Sequence, residues 1–226
     1  MVWYRLVEMK RTLEPELMDD EQQSVAYAQA DFSTSNQFFV DSLVRDFPTH
    51  LRDVVDIGCG PADVVIRLAR AAPNATISAL DGSAPMIALG RAAACAAGVD
   101  DRLVLLHTRI PGPPPGPHAF DAVLSKDLLH HLPDPQILWN EVKRVGRPGA
   151  AVYVMDLVRP DSEDAAQAMV KEGAGSEDPI LQRDFYNSLL AAFTLEEVRR
   201  QLRDAGLDLT VALAGPRHML ICGNLR

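Results

Sequence analysis

The chain has 226 residues, which suits one compact domain with a short appended segment and leaves little room for a second full domain. Hydrophobic residues make up 47% and charged residues 23%, which argues against disordered and fibrous classes. The formal net charge of −9 argues against duplex nucleic acid or an anionic membrane as the main partner, since both select for clustered Lys and Arg.

Cysteine usage and the hydropathy of the termini bear on location. The three cysteines lie far apart with no C-x-x-C spacing, so we expect neither a zinc site nor a disulfide framework. Charged residues interrupt the N-terminal stretch, which therefore lacks the apolar segment of a secretory signal. No apolar run approaches the roughly 20 residues that span a bilayer. These features predict a cytoplasmic protein without membrane insertion.

Residues 1–48 carry helical signals and no strand signal. The clearer signal runs from Ser35 to Phe47, where five apolar residues fall on one helical face. The pattern changes at Leu51 to alternating strands and helices. We therefore expect a helical N-terminal cap over 1–48 and a second unit over 49–226.

The second unit reads as an alternating β–α chain. Strands are predicted at 51–57, 75–80, 102–107, 120–125 and 151–156. Three helices are predicted. The first covers 63–72, the second follows Ser83, whose side chain can cap it, and the third begins at Asp134 and ends at Gly146. The proline-rich stretch 111–118 predicts a surface loop.

The C-terminal third departs from this alternation. Residues 159–194 interrupt it and are interpreted as a lid insertion, after which Thr194 and Glu197 have capping-box spacing. Two last strands, 207–213 and 217–223, are joined by three residues, which requires an antiparallel pair. The predicted fold is α/β: a doubly wound, Rossmann-like sheet of seven strands, five parallel plus a C-terminal antiparallel hairpin.

Ligands of such sheets bind beyond the carboxyl ends of the strands, so the residues there are the most informative. The first strand ends in Asp56-Ile57-Gly58-Cys59-Gly60. The two glycines let the backbone turn sharply and approach a ligand closely. Asp56 can accept hydrogen bonds from an ammonium group or from backbone N–H groups. The alternative is a tight strand–helix turn with a capping aspartate.

The second strand ends in Leu80-Asp81-Gly82-Ser83. A carboxylate here, 21 residues after Gly60, can accept both hydroxyls of a ribose, because its two oxygens lie in one plane. The alternative is a helix N-cap.

These motifs carry a family resemblance. VVDIGCGPA followed by ALDGS resembles the first two motifs of class I S-adenosylmethionine-dependent methyltransferases. FDAVLSKDLLHHLPDP and RVGRPGAAVYVMD resemble the fourth motif and the segment after it in the small-molecule branch that includes the ubiquinone and menaquinone methyltransferases. The resemblance covers roughly residues 25–223. It implies S-adenosylmethionine as cofactor, S-adenosylhomocysteine as product and a small molecule as methyl acceptor.

The resemblance also implies residue roles. The methionine moiety would lie against Asp56, Gly58, Cys59 and Gly60, and its sulfonium would lie near Ser125 and Lys126. The ribose would contact Asp81, with Gly82 and Met86 around the ribose and adenine, and the adenine would contact Thr108 and Arg109. Tyr27 would fold over the cofactor.

Three positions depart from the family pattern. Ala62 stands where a third glycine is usual, and Thr108 stands where an acid normally meets the adenine amine. Lys126 replaces a residue that is commonly Asn or small. Since a cation near a sulfonium is unfavourable, we expect its ammonium to point away, leaving only backbone in contact.

The pair His130-His131 is the remaining candidate for chemistry. On a helix adjacent side chains point about 100° apart, so at most one of the two is expected to face the cleft as a general base. The alternative is that both are structural. No second ligand pair has suitable spacing, so no metal site is predicted.

Two further functions compete with methyl transfer. One is a non-catalytic S-adenosylmethionine-binding or regulatory protein on the same fold. The other is an NAD-dependent oxidoreductase, which needs G-x-G-x-x-G but here has Asp63 at the last position, beside the expected pyrophosphate. The oligomeric state does not follow from the sequence.

Overall fold

The structure, a computed structural model, describes residues 9–14, 18–112 and 116–226. Parts of the predicted cap (1–8 and 15–17) and of the proline-rich loop (113–115) lie outside these residues. The elements are α1 Glu21–Gln29, α2 Ser33–Asp46, β1 Asp53–Ile57, α3 Asp63–Ala71, β2 Thr76–Asp81, α4 Ala84–Ala97, β3 Leu103–His107, β4 Phe120–Lys126, a 3-10 turn Leu129–His131, α5 Gln136–Val145, β5 Gly146–Leu157, α6 Glu163–Ala174, α7 Pro179–Ala191, α8 Leu195–Ala205, β6 Thr210–Leu213 and β7 His218–Asn224.

The strands form one seven-stranded sheet in the order β3-β2-β1-β4-β5-β7-β6. Strands β1 to β5 run parallel to one another, and β7 runs antiparallel to both β5 and β6. The predicted fold class is confirmed. The chain begins in the middle with β1, moves outward to β3 and returns to the other side with β4. This reversal lies between β1 and β4, where a ligand crevice is expected.

Apolar residues of the strands are buried on both faces of the sheet, as a covered parallel sheet requires. Val54 and its neighbour Val55 are both fully buried, but they join different clusters. Val54 packs with residues of α2, α3 and α4, whereas Val55 packs with residues of α5 and α8. The helices therefore cover both faces and leave the carboxyl edge of the sheet open for the site.

Two predicted helix caps are present. Ser83 Oγ accepts a hydrogen bond from Met86 N, 3.3 Å away, and so caps α4. Thr194 and Glu197 form a reciprocal capping box at the start of α8. Each cap satisfies N–H groups that the first helical turn cannot pair internally.

The C-terminal elements differ from prediction at their boundaries. Strand β5 begins directly at Gly146, which was expected only to stop the preceding helix. Gly146 pairs with Phe120, and a Cβ at this position would overlap the side chain of Leu225, so close packing explains the glycine. Strand β6 begins at Thr210, three residues later than expected, and the segment 159–194 contains α6 and α7. Within the ranges described, none of the helices combines the length and apolar composition needed to cross a membrane.

Candidate functional site

A cavity of about 880 Å³ lies along the carboxyl ends of β1, β2, β3 and β4. Its strand-end half is lined by 56–61, 80–83, Met86, 108–110 and Lys126, with Tyr27 of α1 beside them. Its lid half is lined by His130, His131, Leu132, Leu157, Arg217, His218 and residues between Gly173 and Ser188. The two halves are built differently: backbone groups and short acids dominate the first, and long side chains dominate the second.

The loop after β1 is fixed by its own backbone. The N–H groups of Gly58 and Cys59 both donate to Leu80 O, at 2.8 and 2.9 Å. The next N–H, of Gly60, donates to Asp81 Oδ2 at 2.8 Å. Three consecutive backbone donors therefore connect the end of β1 to the end of β2. The two strand ends that carry the predicted cofactor motifs are therefore in direct contact.

This loop takes left-handed backbone at three places. Gly58 has φ +81° and Gly60 has φ +51°, values that favour glycine. A Cβ on Gly58 would also lie 3.0 Å from the side chain of Leu128. Ala62 has φ +70° as well, so the alanine that replaces a family glycine adopts an unfavourable conformation, at a cost of roughly 1–2 kcal/mol. The substitution is therefore not neutral for the backbone.

Asp81 uses both carboxylate oxygens to hold the strand ends. Oδ2 accepts from Gly60 N, and Oδ1 accepts from Ser83 N at 2.8 Å. Asp81 is not the N-cap of α4, because Ser83 occupies that position. Burial raises the pKa of Asp81, and the two backbone bonds oppose that rise. The carboxylate is oriented by its partners and borders the cavity.

Asp56 is the buried acid of this half. Its side chain is 2% exposed, and Oδ1 has no hydrogen-bond partner among the described residues. Burial and the nearby Asp81 raise the pKa of Asp56 to about 7, although Lys126 acts in the opposite direction. An uncompensated buried carboxyl oxygen beside a cavity is a strong acceptor for a ligand cation or N–H group.

The end of β4 closes the base of the strand-end half. Ser125 is fully buried, and its hydroxyl donates to Ile57 O at 2.8 Å. The Lys126 ammonium is paired with Asp127. Burial raises the pKa of Asp127, but Lys126 and His218 outweigh it and hold the pKa well below the ordinary value. The lysine charge is thus neutralised locally.

The remaining predicted cofactor contacts line the same half. Tyr27 stacks near Phe32 with ring centroids 4.8 Å apart, and its ring lies 3.9 Å from where a Gly60 Cβ would be. Thr108 N donates to Asp81 O at 2.9 Å, and Arg109 lies 3.8 Å from Asp19. Gly82 and the buried Met86 complete the wall, so every predicted cofactor residue except Ser125 lines this half. Ser125 lies behind the wall, where its hydroxyl is bonded to Ile57 O.

His130 and His131 face the lid half together. They lie in a short 3-10 turn, their ring centroids are 4.2 Å apart, and both line the cavity. The expectation that only one could face the cleft was wrong, because the two rings turn toward a shared neighbour, Glu14. That neighbour is 116 residues earlier in the chain and could not be found from local spacing.

Residues 9–14 run along the lid half and are anchored there. The Arg11 guanidinium donates to the carbonyl oxygens of Ala191, His130 and Leu132 at 2.5, 2.7 and 2.9 Å. It also lies 3.9 Å from the centroid of the Phe193 ring. This contact places Glu14 between the two histidines and Ser188.

The histidine turn is strongly charged. His130 Nδ1 lies 2.7 Å from Asp156 Oδ1, and His130 Nε2 lies 3.5 Å from Glu14 Oε1. Burial lowers the pKa of His130, but these two carboxylates outweigh it and raise the pKa to about 9. Burial raises the pKa of Glu14 to about 7, against the opposing effects of His130 and Ser188.

On the far wall, Arg217 crosses α6 at Gly173. Its guanidinium carbon lies 5.4 Å from the Phe185 ring centroid, and a Cβ on Gly173 would overlap Arg217 Nη1. No carboxylate of the described residues forms an ion pair with Arg217. Counting the described residues alone, the lid half therefore presents to the cavity a cation that has no carboxylate partner.

Comparisons with known proteins agree with this architecture. Residues 54–149 match the family model described as a methyltransferase domain. The 27-O-demethylrifamycin SV methyltransferase of Amycolatopsis mediterranei is 29% identical over 74% of this chain and 58% of its own length. The demethylmenaquinone methyltransferase of Bacillus cytotoxicus is 34% identical over 47% of this chain and 45% of its own length. The chain thus spans about half the length of these curated relatives.

A solved structure of a SAM-dependent methyltransferase from Aquifex aeolicus has the same fold. It superimposes with a TM-score of 0.71 at 17% identity, covering 92% of this chain and 99% of that one.

Proposed function

We propose that the chain is a class I S-adenosylmethionine-dependent methyltransferase that transfers a methyl group from S-adenosylmethionine to a small-molecule acceptor and releases S-adenosylhomocysteine. The match of residues 54–149 to a methyltransferase domain, the similarity to curated methyltransferases and the shared fold support this proposal. The observation that carries this proposal is the bond from Gly60 N to Asp81 Oδ2, which joins the two strand ends into one wall of the cavity. The relatives whose names mention rifamycin and menaquinone support a small molecule as acceptor.

The residues present fit the cofactor. The unpartnered Oδ1 of Asp56 would accept a hydrogen bond from the ammonium of the methionine moiety, and the loop 58–60 would lie against its chain. The Asp81 carboxylate would accept the ribose hydroxyls beside Gly82, with the adenine between Met86, Thr108 and Arg109. Tyr27 would cover this ligand, and Ser125 and Lys126 would lie below it.

When bound, the sulfonium of the cofactor supplies an activated methyl group, so the protein mainly needs to align an acceptor. Holding the two reactants in line contributes on the order of 7–11 kcal/mol without a dedicated base. The cavity supports this role, since it continues from the strand-end half into the lid half. A general base from His130 or His131 is an additional option for an acceptor that must lose a proton.

We propose that residues 1–48 and 159–194 act as cap and lid over the domain 49–226. The contacts of Arg11 with Ala191 and of Gln23 with Asp184 support this role, because they tie the N-terminal segment to α7 across the cavity. A closed cover of this kind excludes water from the reacting groups. We also propose a cytoplasmic location, supported by Cys59, Cys95 and Cys222, none of which forms a disulfide.

Titration calorimetry with S-adenosylhomocysteine and with NADH tests the cofactor. We expect saturable binding of the first ligand only; binding of NADH alone would support the oxidoreductase instead. Incubation with methyl-labelled S-adenosylmethionine and a panel of phenols, quinols and carboxylic acids then tests transfer. Cofactor binding without label transfer to any acceptor, including a small-molecule extract, would favour the non-catalytic alternative.

A further inference from the structure

We propose that Glu14, His130 and His131 bind one divalent transition metal ion, of the class that prefers two imidazoles and a carboxylate, such as Zn²⁺. The ligand atoms are Glu14 Oε1, His130 Nε2 and His131 Nδ1, all within 4.8 Å of one another. The site goes beyond methyl transfer, and metal binding there does not depend on the proposed cofactor. No local sequence motif marks it, because Glu14 and the histidines are far apart in the chain.

The distances from Glu14 Oε1 to the two histidine nitrogens suit a tetrahedral ion. Glu14 Oε1 lies 3.5 Å from His130 Nε2 and 3.2 Å from His131 Nδ1. In a tetrahedral zinc site with bonds of about 2.0–2.1 Å, neighbouring ligand atoms are roughly 3.3–3.4 Å apart. An ion can therefore enter between these atoms with small side-chain adjustments.

Outer contacts orient two of the three ligands. His130 Nδ1 lies 2.7 Å from Asp156 Oδ1, and Asp156 Oδ2 accepts from Leu129 N at 2.7 Å. Ser188 Oγ donates to Glu14 Oε2 at 3.2 Å, which leaves Oε1 for the ion. A histidine that contacts a carboxylate through its second nitrogen is a recurring arrangement in metal sites, since that contact fixes the ring and its tautomer.

A bound cation would stabilise the buried carboxylate of Glu14. Its side chain is 8% exposed, yet Oε1 accepts no hydrogen bond from any described residue. Its neighbours there are the two imidazole nitrogens at 3.5 and 3.2 Å, and a buried carboxylate oxygen that accepts no hydrogen bond is costly. A divalent ion would satisfy it and balance the two negative charges of Glu14 and Asp156, with both imidazoles neutral. The competing interpretation is an ion-pair network around a protonated His130, with no metal.

A fourth ligand would reach the ion through the cavity, because both histidines line it. Water would serve, and so would a hydroxyl or carboxylate oxygen of the methyl acceptor. This acceptor contact rests on the proposed function, whereas the ion site itself does not. Leu128, which precedes the histidine turn, contacts the position of Gly58, so the site adjoins the strand-end half.

The test uses the full chain without a polyhistidine tag, dialysed against a chelator and then titrated with Zn²⁺ by calorimetry and with Co²⁺ by visible absorption. We expect one equivalent of metal, an intense tetrahedral cobalt spectrum, and at least a hundredfold weaker binding in Glu14→Gln and His131→Gln. Asp156→Asn should weaken binding about 10–100-fold, because it removes only the orienting contact. His50→Gln, at a half-buried histidine outside this cluster, is the matched control and should leave the metal affinity unchanged.

Thermal unfolding and S-adenosylhomocysteine affinity are measured on the same samples, so that a folding defect or a failure of the proposed function is recognised separately. Absence of saturable metal binding by the folded wild-type chain would overturn the site. Unchanged metal affinity in folded Glu14→Gln and His131→Gln would overturn it equally.

Discussion

The two halves of the cavity obtain their shape in different ways. The strand-end half is built mainly by backbone groups and short acids within 56–86, a stretch of chain that lies entirely within the matched family region. The lid half is built by long side chains from the N-terminal segment, α6, α7 and β7, which meet only in the folded chain. The half proposed to bind the cofactor can therefore be recognised from local sequence, whereas the half proposed to bind the acceptor depends on long-range contacts.

Asp81→Ala should have the largest effect, and this effect should be confined to ligand binding in the strand-end half. It removes the acceptor of Gly60 N and the proposed ribose contact, so S-adenosylhomocysteine affinity should fall by about 1–3 kcal/mol, or roughly 5–150-fold. Calorimetry measures this change. Asp101→Ala, at an exposed turn, serves as control. An unaltered dissociation constant for Asp81→Ala would show that the ribose lies elsewhere.

Arg11→Ala should affect the lid half alone. The variant loses three bonds to carbonyl groups that hold residues 9–14 in place. Displacement of residues 9–14 would misalign the groups around the reacting atoms and slow methyl transfer. We therefore expect kcat to drop by about tenfold or more while the affinity for S-adenosylhomocysteine stays the same. Steady-state kinetics with labelled cofactor checks it. An unchanged kcat would contradict the proposal that the N-terminal segment helps to form the acceptor-binding half.

The ionisation of Asp56 gives the strand-end half a pH dependence. Burial raises the pKa of this acid to about 7, so in the free protein it is mostly protonated at pH 6 and mostly ionised at pH 8. Ammonium binding needs the ionised form, and affinity for S-adenosylhomocysteine should rise about tenfold over this range. Calorimetry at both pH values tests it. Asp56→Asn should bind weakly with no such rise; a rise that persists in this variant would assign the titration to another group.

Gly173→Ala should have the smallest effect and should be confined to the lid half. The added methyl overlaps Arg217 Nη1, and because that end is flexible the guanidinium moves rather than the helix. We expect a change of a few-fold in acceptor KM, on the order of 1 kcal/mol, with cofactor affinity and unfolding temperature unchanged. Kinetics with any acceptor found in the label-transfer assay measures it. A loss of cofactor affinity instead would mean that the halves are coupled.

The same contrast explains what could be predicted. The five parallel strands with a C-terminal antiparallel hairpin, both helix caps and the two cofactor motifs at the ends of β1 and β2 follow from local patterns, namely alternating buried strands, a glycine turn and an acid 21 residues later. The position of Glu14 could not be predicted, because its partners are more than 100 residues away. The left-handed backbone of Ala62 and the shared orientation of the two histidines depend equally on the folded surroundings.

A crystal structure of the chain with S-adenosylhomocysteine tests the central claim most directly. We predict that the ribose hydroxyls lie within hydrogen-bond distance of the Asp81 carboxylate and that the ligand ammonium lies beside Asp56. A nucleoside bound away from the turn 58–60, or a strand-end half filled by protein side chains in the complex, would contradict it.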